Sequence, residues 1–399
     1  MKKLSLALIL LINYAFAQVK NGELVPDINF QPILNAPVKQ GSLAQLKGKV
    51  VLVEFWATWC GGCIVAMPHL NELQKKYAGK LQVITVTDET VKRTNQFLAV
   101  KHFNFWFSVD TGRVIAKLFP HQLIPHTVLI DADGKLIANT SPELITEKVM
   151  DSLINKKEVH LAEKADNPMD YEDILKKYFA ADDTVKTRFN MLPEMKGAPG
   201  LSTTWLDNKV FSGRRLTCLN LGLSSLYRLT NNDFPYSRTI DKTDKDKNEA
   251  AYCLDIIVEN KADLLPALRQ ELAKRFDLQA KVETQTKEAY VLKVTDPEKF
   301  KTIARNTSGK RTYYSRHGEI DQQNMTMKDF ADFLESYGIG RLPVVDETRN
   351  DEKFDIKFSW QPENPASLTK VLKGMGLTLE KQQRPIDMLI IYNQNQKAI

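Results

Sequence analysis

The chain has 399 residues, of which 43% are hydrophobic and 26% are charged, and its formal net charge is +6 at pH 7. Its length favours two or three folding units, and its composition is ordinary for a globular protein with a buried core. Lysine and arginine alternate with aspartate and glutamate along the whole chain, without a basic arm, so nothing in the sequence supports nucleic-acid binding.

The first 17 residues have the pattern of a secretory signal peptide. Two lysines precede an almost wholly apolar run over residues 4–12, and Ala15-Phe16-Ala17 supplies the small-x-small pattern of a cleavage site. The run is shorter than the roughly 20 apolar residues that span a bilayer. We therefore expect cleavage before Gln18, location in the periplasm or another extracytoplasmic compartment, and no membrane span after cleavage. A retained N-terminal anchor is the alternative.

Residues 18–158 are predicted to form an α/β domain, because short apolar runs alternate there with helical stretches. The predicted elements, in chain order, are a strand over 49–55, a helix over 60–77, a strand over 81–87, a helix over 91–102, a strand over 105–109, strands over 127–130 and 135–138, and a helix over 142–153. The turn Asp131-Ala132-Asp133-Gly134 between the last two strands favours a hairpin.

A linker is predicted over residues 159–182, which are charged and weakly patterned, with a short helix over 171–179. The rest of the chain, 183–399, is predicted to be an α+β domain with an internal duplication. The two copies are expected at about 183–300 and 320–395.

The duplication is predicted from two similar segments. Leu254-Asp255-Ile256-Ile257-Val258 matches Phe354-Asp355-Ile356-Lys357-Phe358, and their aspartates lie 100 positions apart. Each segment is followed by a helix, a polar strand and an apolar strand. Chance similarity between two ordinary βαββ patterns is the alternative explanation, and two copies are too few for a solenoid.

The motif that carries chemistry is Trp56-Ala57-Thr58-Trp59-Cys60-Gly61-Gly62-Cys63, which follows a buried strand and opens a helix. Two intervening residues at a helix start bring two sulfurs within bonding distance. Cys60 meets the positive end of the helix dipole, which lowers the pKa of its thiol below the usual value of about 8.5. We expect Cys60 to attack a substrate disulfide and Cys63, one turn inside the helix, to resolve the mixed disulfide.

Residues 25–155 resemble the TlpA/ResA-like branch of the thioredoxin superfamily. The resemblance rests on Val25-Pro26-Asp27, the FWATWC run, Met67-Pro68-His69-Leu70 and Ile124-Pro125-His126-Thr127. It implies a thioredoxin-like fold with a central mixed sheet flanked by helices, and a thiol-disulfide oxidoreductase activity. It also implies that the redox-active Cys60–Cys63 disulfide works without a cofactor, on protein thiols or disulfides of the cell envelope, with an upstream electron donor.

The resemblance assigns roles to further residues. Glu54 takes the place of a buried acid that accepts the proton of Cys63, and Pro125 takes that of a cis-proline that faces the cysteines. The residues expected to contact substrate are Trp59, Gly61, Gly62 and Ile124. The dipeptide between the cysteines contains no proline or histidine, so the direction of electron flow stays open, with reduction favoured by the family.

The other two cysteines, Cys218 and Cys253, both alternate against the apolar residues of their strands. They are predicted to form a structural disulfide in an oxidising compartment, and two covered, unpaired thiols are the alternative. The six histidines have no paired spacing, so no metal site is expected.

Residues 189–393 resemble an uncharacterised domain family found in soil bacteria and Bacteroidetes. The resemblance rests on the Leu342-to-Thr348 segment, the FDIKF strand and the final PIDMLIIY strand. No nucleophile–base arrangement is present there, so an interaction module is expected. A non-enzymatic envelope binding protein, in which this domain recognises a partner and the dithiol is incidental, is the alternative function.

Overall fold

The computed structural model describes residues 18–164, 166, 169–243, 250–316, 318–338 and 342–394. The chain divides into two compact units, Met1–Lys164 and Ala165–Ile399. The predicted signal peptide lies outside the described residues, and so does the end of the predicted second domain, 395–399. Within the described part of the chain, no helix is both long and apolar enough to cross a membrane.

The first unit is built on a mixed sheet of six strands, in the order β2-β6-β5-β4-β7-β8. The strands of this unit are β1 Asn29–Phe30, β2 Ile33–Leu34, β3 Gly41–Ser42, β4 Val50–Phe55, β5 Leu81–Thr87, β6 Trp106–Val109, β7 His126–Ile130 and β8 Leu136–Thr140. Every residue of β4 is buried, as expected for a central strand with both faces covered. Strand β4 runs parallel to β5 and antiparallel to β7, so the predicted mixed sheet is confirmed.

The helices of the first unit cover both faces of this sheet. They are α1 Gly61–Lys76, α2 Val91–Leu98, α3 Val114–Leu118 and α4 Glu147–Ile154. The last helix begins later than predicted, because Thr146 caps it by accepting a hydrogen bond from the Val149 N–H, after a short 3-10 turn. The sequence missed α3 and the two-residue strands, since such short elements leave no periodic signal.

The second unit contains two copies of one arrangement. Its elements are α5 Tyr171–Tyr178, β9 Arg188–Pro193, β10 Leu201–Thr204, β11 Arg215–Gly222, α6 Leu223–Leu229, β12 Thr239–Asp241, β13 Ala251–Ile257, α7 Leu264–Arg275, β14 Leu278–Val294, α8 Pro297–Lys301, β15 Ser315–Arg316, β16 Glu319–Met325, α9 Met327–Phe333, β17 Val344–Asp346, β18 Phe354–Ser359, α10 Pro365–Gly374 and β19 Leu377–Asn393. The series β11-α6-β12-β13-α7-β14 is repeated by β16-α9-β17-β18-α10-β19. The same order of elements thus occurs twice, and we call these series the first half and the second half.

The two halves are joined by their long strands. β14 and β19 pair antiparallel along all 17 residues, and each takes the short strand of the other half as its parallel neighbour, β17 beside β14 and β12 beside β19. The polar and apolar strands predicted for each copy are thus one continuous strand. Leu389 and Ile391 of β19 pack in the core of the first half, and Leu292 of β14 packs in the core of the second half.

Each half contains a β-bulge, and the two bulges show which residues of the halves correspond to each other. Asn220 and Asn324 lie at the bulges with φ of 47° and 59°, a left-handed conformation that asparagine tolerates. The N–H of Asn220 donates to Sγ of Cys253 at 3.3 Å, and the N–H of Asn324 donates to Oδ1 of Asp355 at 3.1 Å. Cys253 is therefore the counterpart of Asp355, and the predicted equivalence of Asp355 with Asp255 is wrong by two residues.

A buried ion-pair network lies on the outer face of the first half's sheet. Asp255 is fully buried and pairs with Arg215 at 2.8 Å and Arg188 at 2.5 Å, and it accepts a hydrogen bond from Thr217 at 2.7 Å. Because both carboxylate oxygens have partners, the cost of burying this charge is offset.

The predicted disulfide between Cys218 and Cys253 is wrong, since both are free and buried. Cys218 pairs with Leu254 across β11 and β13, and paired residues point to the same face of a sheet. The neighbouring Cys253 therefore points to the opposite face. Cys218 packs with Leu254, whereas Cys253 packs with Ile174 and Phe179. The prediction failed because it assumed that only one face of the sheet was covered.

The predicted linker over 159–182 is too long. Val159 and Leu161 pack against the core of the first unit, and the Lys164 N–H donates to the Asn139 carbonyl. Helix α5, predicted within the linker, is present, and its Ile174 is fully buried in the second unit.

Candidate active site

The two cysteines of the motif lie at the start of helix α1, which follows strand β4 in the chain. Cys60 is the N-cap of α1, and its Sγ accepts a hydrogen bond from the Cys63 N–H at 3.2 Å. The two sulfurs form a disulfide at 2.02 Å. Cys60 keeps 7% of its surface exposed and Cys63 only 1%. Both residues are buried, and Cys60 is the less buried of the two, in the order that the sequence predicted.

Aromatic packing and a set of side-chain hydrogen bonds hold the segment that precedes Cys60. Trp56 is buried, with its ring centroid 4.9 Å from that of Phe97. Thr58 donates its N–H and its hydroxyl to the Glu89 carboxylate at 2.6 and 2.9 Å, and the Nε of Arg93 donates to the Thr58 hydroxyl at 3.0 Å. Sequence reasoning missed Glu89 and Arg93, since they lie about 30 residues from the motif and match no motif of their own.

Pro125 faces the turn between the cysteines. The Ile124–Pro125 peptide bond is cis, as the resemblance implied. A Cβ atom added at Gly62 would lie 3.4 Å from Cδ of Pro125, and one added at Gly61 would meet nothing within 4 Å. The proline ring therefore packs against the second glycine, while the first is open to solvent.

Glu54 is buried on the face of the sheet that α1 covers. Glu54 lies two residues after Leu52 in β4, so the two side chains point to the same face of the sheet. Leu52 packs in the same core as Cys63. Thr127, its partner across β4 and β7, donates a hydrogen bond to Oε2 at 2.5 Å, and Oε1 has no partner among the described residues. Burial raises the pKa of Glu54 to about 8, against the opposing effect of the Thr127 hydrogen bond. The side chain is thus an acid that changes protonation near neutral pH.

A pocket of about 180 Å³ is lined by Trp59, the residue that precedes Cys60. Trp59 and Ile124, two of the residues predicted to contact substrate, line it together with the polar side chains of Asp88, Asp110 and Arg113. Trp59 is 59% exposed. The other two predicted contacts, the glycines between the cysteines, are exposed at the start of α1.

Two histidines near Pro125, His121 and His126, were assigned no role from the sequence. His126 is buried at the start of β7, with its ring stacked on His121 at 4.7 Å between centroids. Phe55 packs on His121 at 4.3 Å. This stack lies next to the pocket, since Phe55 and His121 both line it.

Two family models match the chain, one in each unit. Residues 20–154 match the family described as Redoxin, and residues 236–393 match the family described as Protein of unknown function (DUF3738). The second match begins later than position 189, where the sequence resemblance had placed its start.

The relatives and solved structures that resemble this chain each match about a third of it. The thiol-disulfide oxidoreductase ResA of Bacillus thuringiensis subsp. konkukian is 35% identical over 117 residues, which are 29% of this chain and 68% of ResA. The thioredoxin-like protein YneN of Bacillus subtilis is 29% identical over 34% of this chain and 80% of its own length. The thioredoxin domain of a thiol-disulfide oxidoreductase from Bacteroides vulgatus matches 35% of this chain and 96% of its own, with 23% identity and a TM-score of 0.29.

The mixed sheet, the disulfide at the start of α1 and the opposing cis-proline define a thioredoxin-like oxidoreductase unit. On the identity with ResA, the chain belongs to the ResA thiol-disulfide oxidoreductases.

Proposed function

We propose that this protein is exported and reduces or exchanges disulfides of envelope proteins through Cys60 and Cys63. The observation that carries the proposal is the position of the disulfide: it caps α1, with Cys60 as the more exposed sulfur. Unpaired N–H groups and the helix dipole stabilise a thiolate at that position. A nucleophilic sulfur at a protein surface is the chemical requirement for disulfide exchange.

The reaction begins from the reduced dithiol. The Cys60 thiolate attacks one sulfur of the substrate disulfide, which breaks, and the other substrate sulfur leaves as a thiolate. The Cys63 thiolate then attacks the Cys60 sulfur of the mixed disulfide and releases the second substrate thiol. Two electrons have passed to the substrate, and the enzyme holds the Cys60–Cys63 disulfide. A dithiol donor in the same compartment returns the two electrons and completes the cycle.

Glu54 serves this cycle as the base for Cys63. The thiol of Cys63 must lose its proton before it can attack, and it is almost fully buried, so bulk water is a poor acceptor. The Glu54 carboxylate, on the face covered by α1 and with a pKa of about 8, is suited to take that proton near neutral pH. Thr127 fixes the carboxyl group through its hydrogen bond.

Substrate binds over the surface formed by Trp59, the two glycines and the Ile124–Pro125 peptide. The exposed indole offers an apolar contact, and the pocket beside it offers charged groups at Asp88, Asp110 and Arg113. Because Pro125 has no N–H of its own, its neighbours supply the backbone groups that hold an extended substrate.

Insulin reduction tests the activity. The mature protein with dithiothreitol is expected to precipitate the insulin B chain, Cys60→Ser is expected to fall to the uncatalysed rate, and Cys253→Ser is the matched control that keeps full activity. Equal rates for the wild type and Cys60→Ser would reject the proposal. Export is tested separately, by fusing residues 1–17 to alkaline phosphatase, which is active only after translocation. An inactive fusion would reject export by this segment.

A further inference from the structure

The two halves of the second unit differ at one sheet edge. In the first half, β13 is paired on both sides, by β11 and by β9, and β9 covers it from Tyr252 to Ile257. In the second half, β18 pairs with β16 on one side. Of the described residues, only Arg305 bridges its other side, at Phe354. From Lys357 onward, this edge of β18 has no strand beside it in the part of the chain that the structure describes.

The backbone groups at this edge are available for pairing. The Asp355 N–H donates to the Ala304 carbonyl at 2.8 Å, on the side away from β16. Because alternate residues of a strand direct their backbone groups to the same side, Lys357 and Ser359 direct theirs to the open edge. Both residues are exposed. An unpaired row of this kind is a template for an added strand.

The first half shows which side chains such a strand needs. In β9, Phe189 and Met191 pair with Ile256 and Leu254 and pack on the core. Asn190 lies between them, opposite Asp255. By the register of the bulges, the counterparts of Ile256 and Leu254 in the second half are Phe358 and Ile356, which pack on their own core. An added strand therefore needs two apolar residues, spaced two apart.

The charge at the centre of the edge is reversed between the halves. In the first half, the acidic Asp255 is matched by Arg188, a base of the covering strand. Its counterpart in the second half is Lys357, whose side chain is 78% exposed and lies 2.5 Å from Asp321 of its own sheet. An added strand should therefore carry an acid where it passes Lys357, since opposite charges across a strand pair are favourable.

We propose that the open edge of β18 binds an extended segment of a partner protein, added antiparallel as a further strand, with an apolar–acidic–apolar core. The segment lies beside residues 356–359, where β9 lies beside their counterparts in the first half. Main-chain hydrogen bonds to Lys357 and Ser359 supply the affinity, and the side chains facing Phe358, Ile356 and Lys357 supply the selectivity. This binding is separate from the redox reaction and stands whether or not the dithiol is active.

A peptide based on the sequence of β9 tests the proposal. The probe is a fluorescein-labelled octapeptide with Phe-Glu-Met at its centre, which is the Phe-Asn-Met of β9 with an acid in the middle. Three measurements by fluorescence anisotropy on the full mature protein are compared: this peptide, a Phe-Lys-Met peptide, and the Phe-Glu-Met peptide N-methylated at the glutamate. We expect the first to bind, the second to bind about tenfold more weakly, and the third not to bind.

Variants locate the site. Lys357→Glu should reverse the preference between the two charged peptides, whereas Lys328→Glu, at a lysine of the same half that is 75% exposed and also ion-paired, should leave it unchanged. Amide hydrogen exchange should slow at Lys357 and Ser359 when the peptide is bound. Running the same titration on the Cys60→Ser variant keeps this test apart from the redox test.

Three results would overturn the proposal. One is the absence of binding at millimolar peptide, and another is equal binding of the methylated and unmethylated peptides. The third is concentration-dependent dimerisation in sedimentation velocity that Lys357→Glu alters, because it would assign the edge to a second copy of this chain rather than to a partner.

Discussion

The chain holds two pairs of cysteines in opposite chemical situations. Cys60 and Cys63 lie at the start of a helix, bonded to each other, with Cys60 the less buried of the two. Cys218 and Cys253 lie on neighbouring strands, unbonded and on opposite faces of one sheet. Both pairs are close in space, so proximity alone does not make a reactive dithiol. The end of an element supplies unpaired N–H groups and access, and the middle of a sheet supplies neither.

Desolvation adds to the difference. Burial, together with the nearby charge of Asp255, raises the pKa of Cys218 to about 12. Burial also raises the pKa of Cys253, against hydrogen bonds from the backbone of Asn220 and Met195. Since the thiolate is the reactive form, burial makes both thiols of the second pair less reactive than an exposed thiol. Three experiments test this difference between the two pairs of cysteines.

The two pairs of cysteines should differ most in their rates of alkylation. In the reduced native protein at pH 8, iodoacetamide should modify Cys60 more than about 10³-fold faster than Cys218, because a thiol with a pKa near 12 is almost wholly protonated. A timed pulse followed by peptide mass spectrometry measures both rates. Guanidinium chloride is the control, since unfolding should bring all four thiols to similar rates. Comparable native rates would contradict the contrast.

The second prediction concerns Glu54, the buried acid of the active site, and the pH dependence of the protein's stability. The folded pKa of Glu54 is about 8 against 4.5 for the free group, so the folded state binds the proton more tightly than the unfolded state. The free energy of unfolding is therefore highest below pH 4.5. It falls by up to about 5 kcal/mol as the pH rises through 8.

Glu54→Gln should remove that dependence and be the more stable protein at pH 8. Urea unfolding of the oxidised forms at several pH values between 5 and 9 measures it, and working with the disulfide keeps the two cysteines from titrating. Parallel stability curves for wild type and variant would show that the carboxyl group does not titrate in this range.

The smallest effect distinguishes the two thiols of the second pair. Cys253 donates to Oδ1 of Asn220 at 3.1 Å and accepts from its N–H, so a serine hydroxyl can replace it. Cys218 packs among leucines with no hydrogen bond from the described residues. Cys218→Ser should therefore cost about 1–3 kcal/mol and Cys253→Ser less. Urea unfolding at pH 7 ranks the variants, and the opposite ranking would contradict the assigned environments.

The sequence predicted the parts of this molecule that rest on local pattern. The buried strand into the CGGC helix start is a local signal, and so is the DADG hairpin. The failures at the active site and at the second pair of cysteines concern contacts between distant residues. Nothing near Thr58 indicates that Glu89 and Arg93 bind it, and alternation around Cys218 and Cys253 does not reveal that both faces of their sheet are covered.

The duplication shows the same limit in another form. The sequence pattern located both copies but aligned Asp355 with Asp255. The true correspondence between the halves follows from the bulges at Asn220 and Asn324, whose hydrogen bonds are tertiary contacts. It also split each long strand in two, since only one end of β14 and of β19 reads as apolar.

The exchange of long strands between the halves has a consequence for how this unit holds together. Each half's core is completed by residues of the other half, Leu389 and Ile391 in one direction and Leu292 in the other. That is the construction of an intertwined dimer whose subunits have been fused into one polypeptide. Severed between β14 and β19, the fragments would each lack part of their interior, and order would return only on mixing, by mutual complementation.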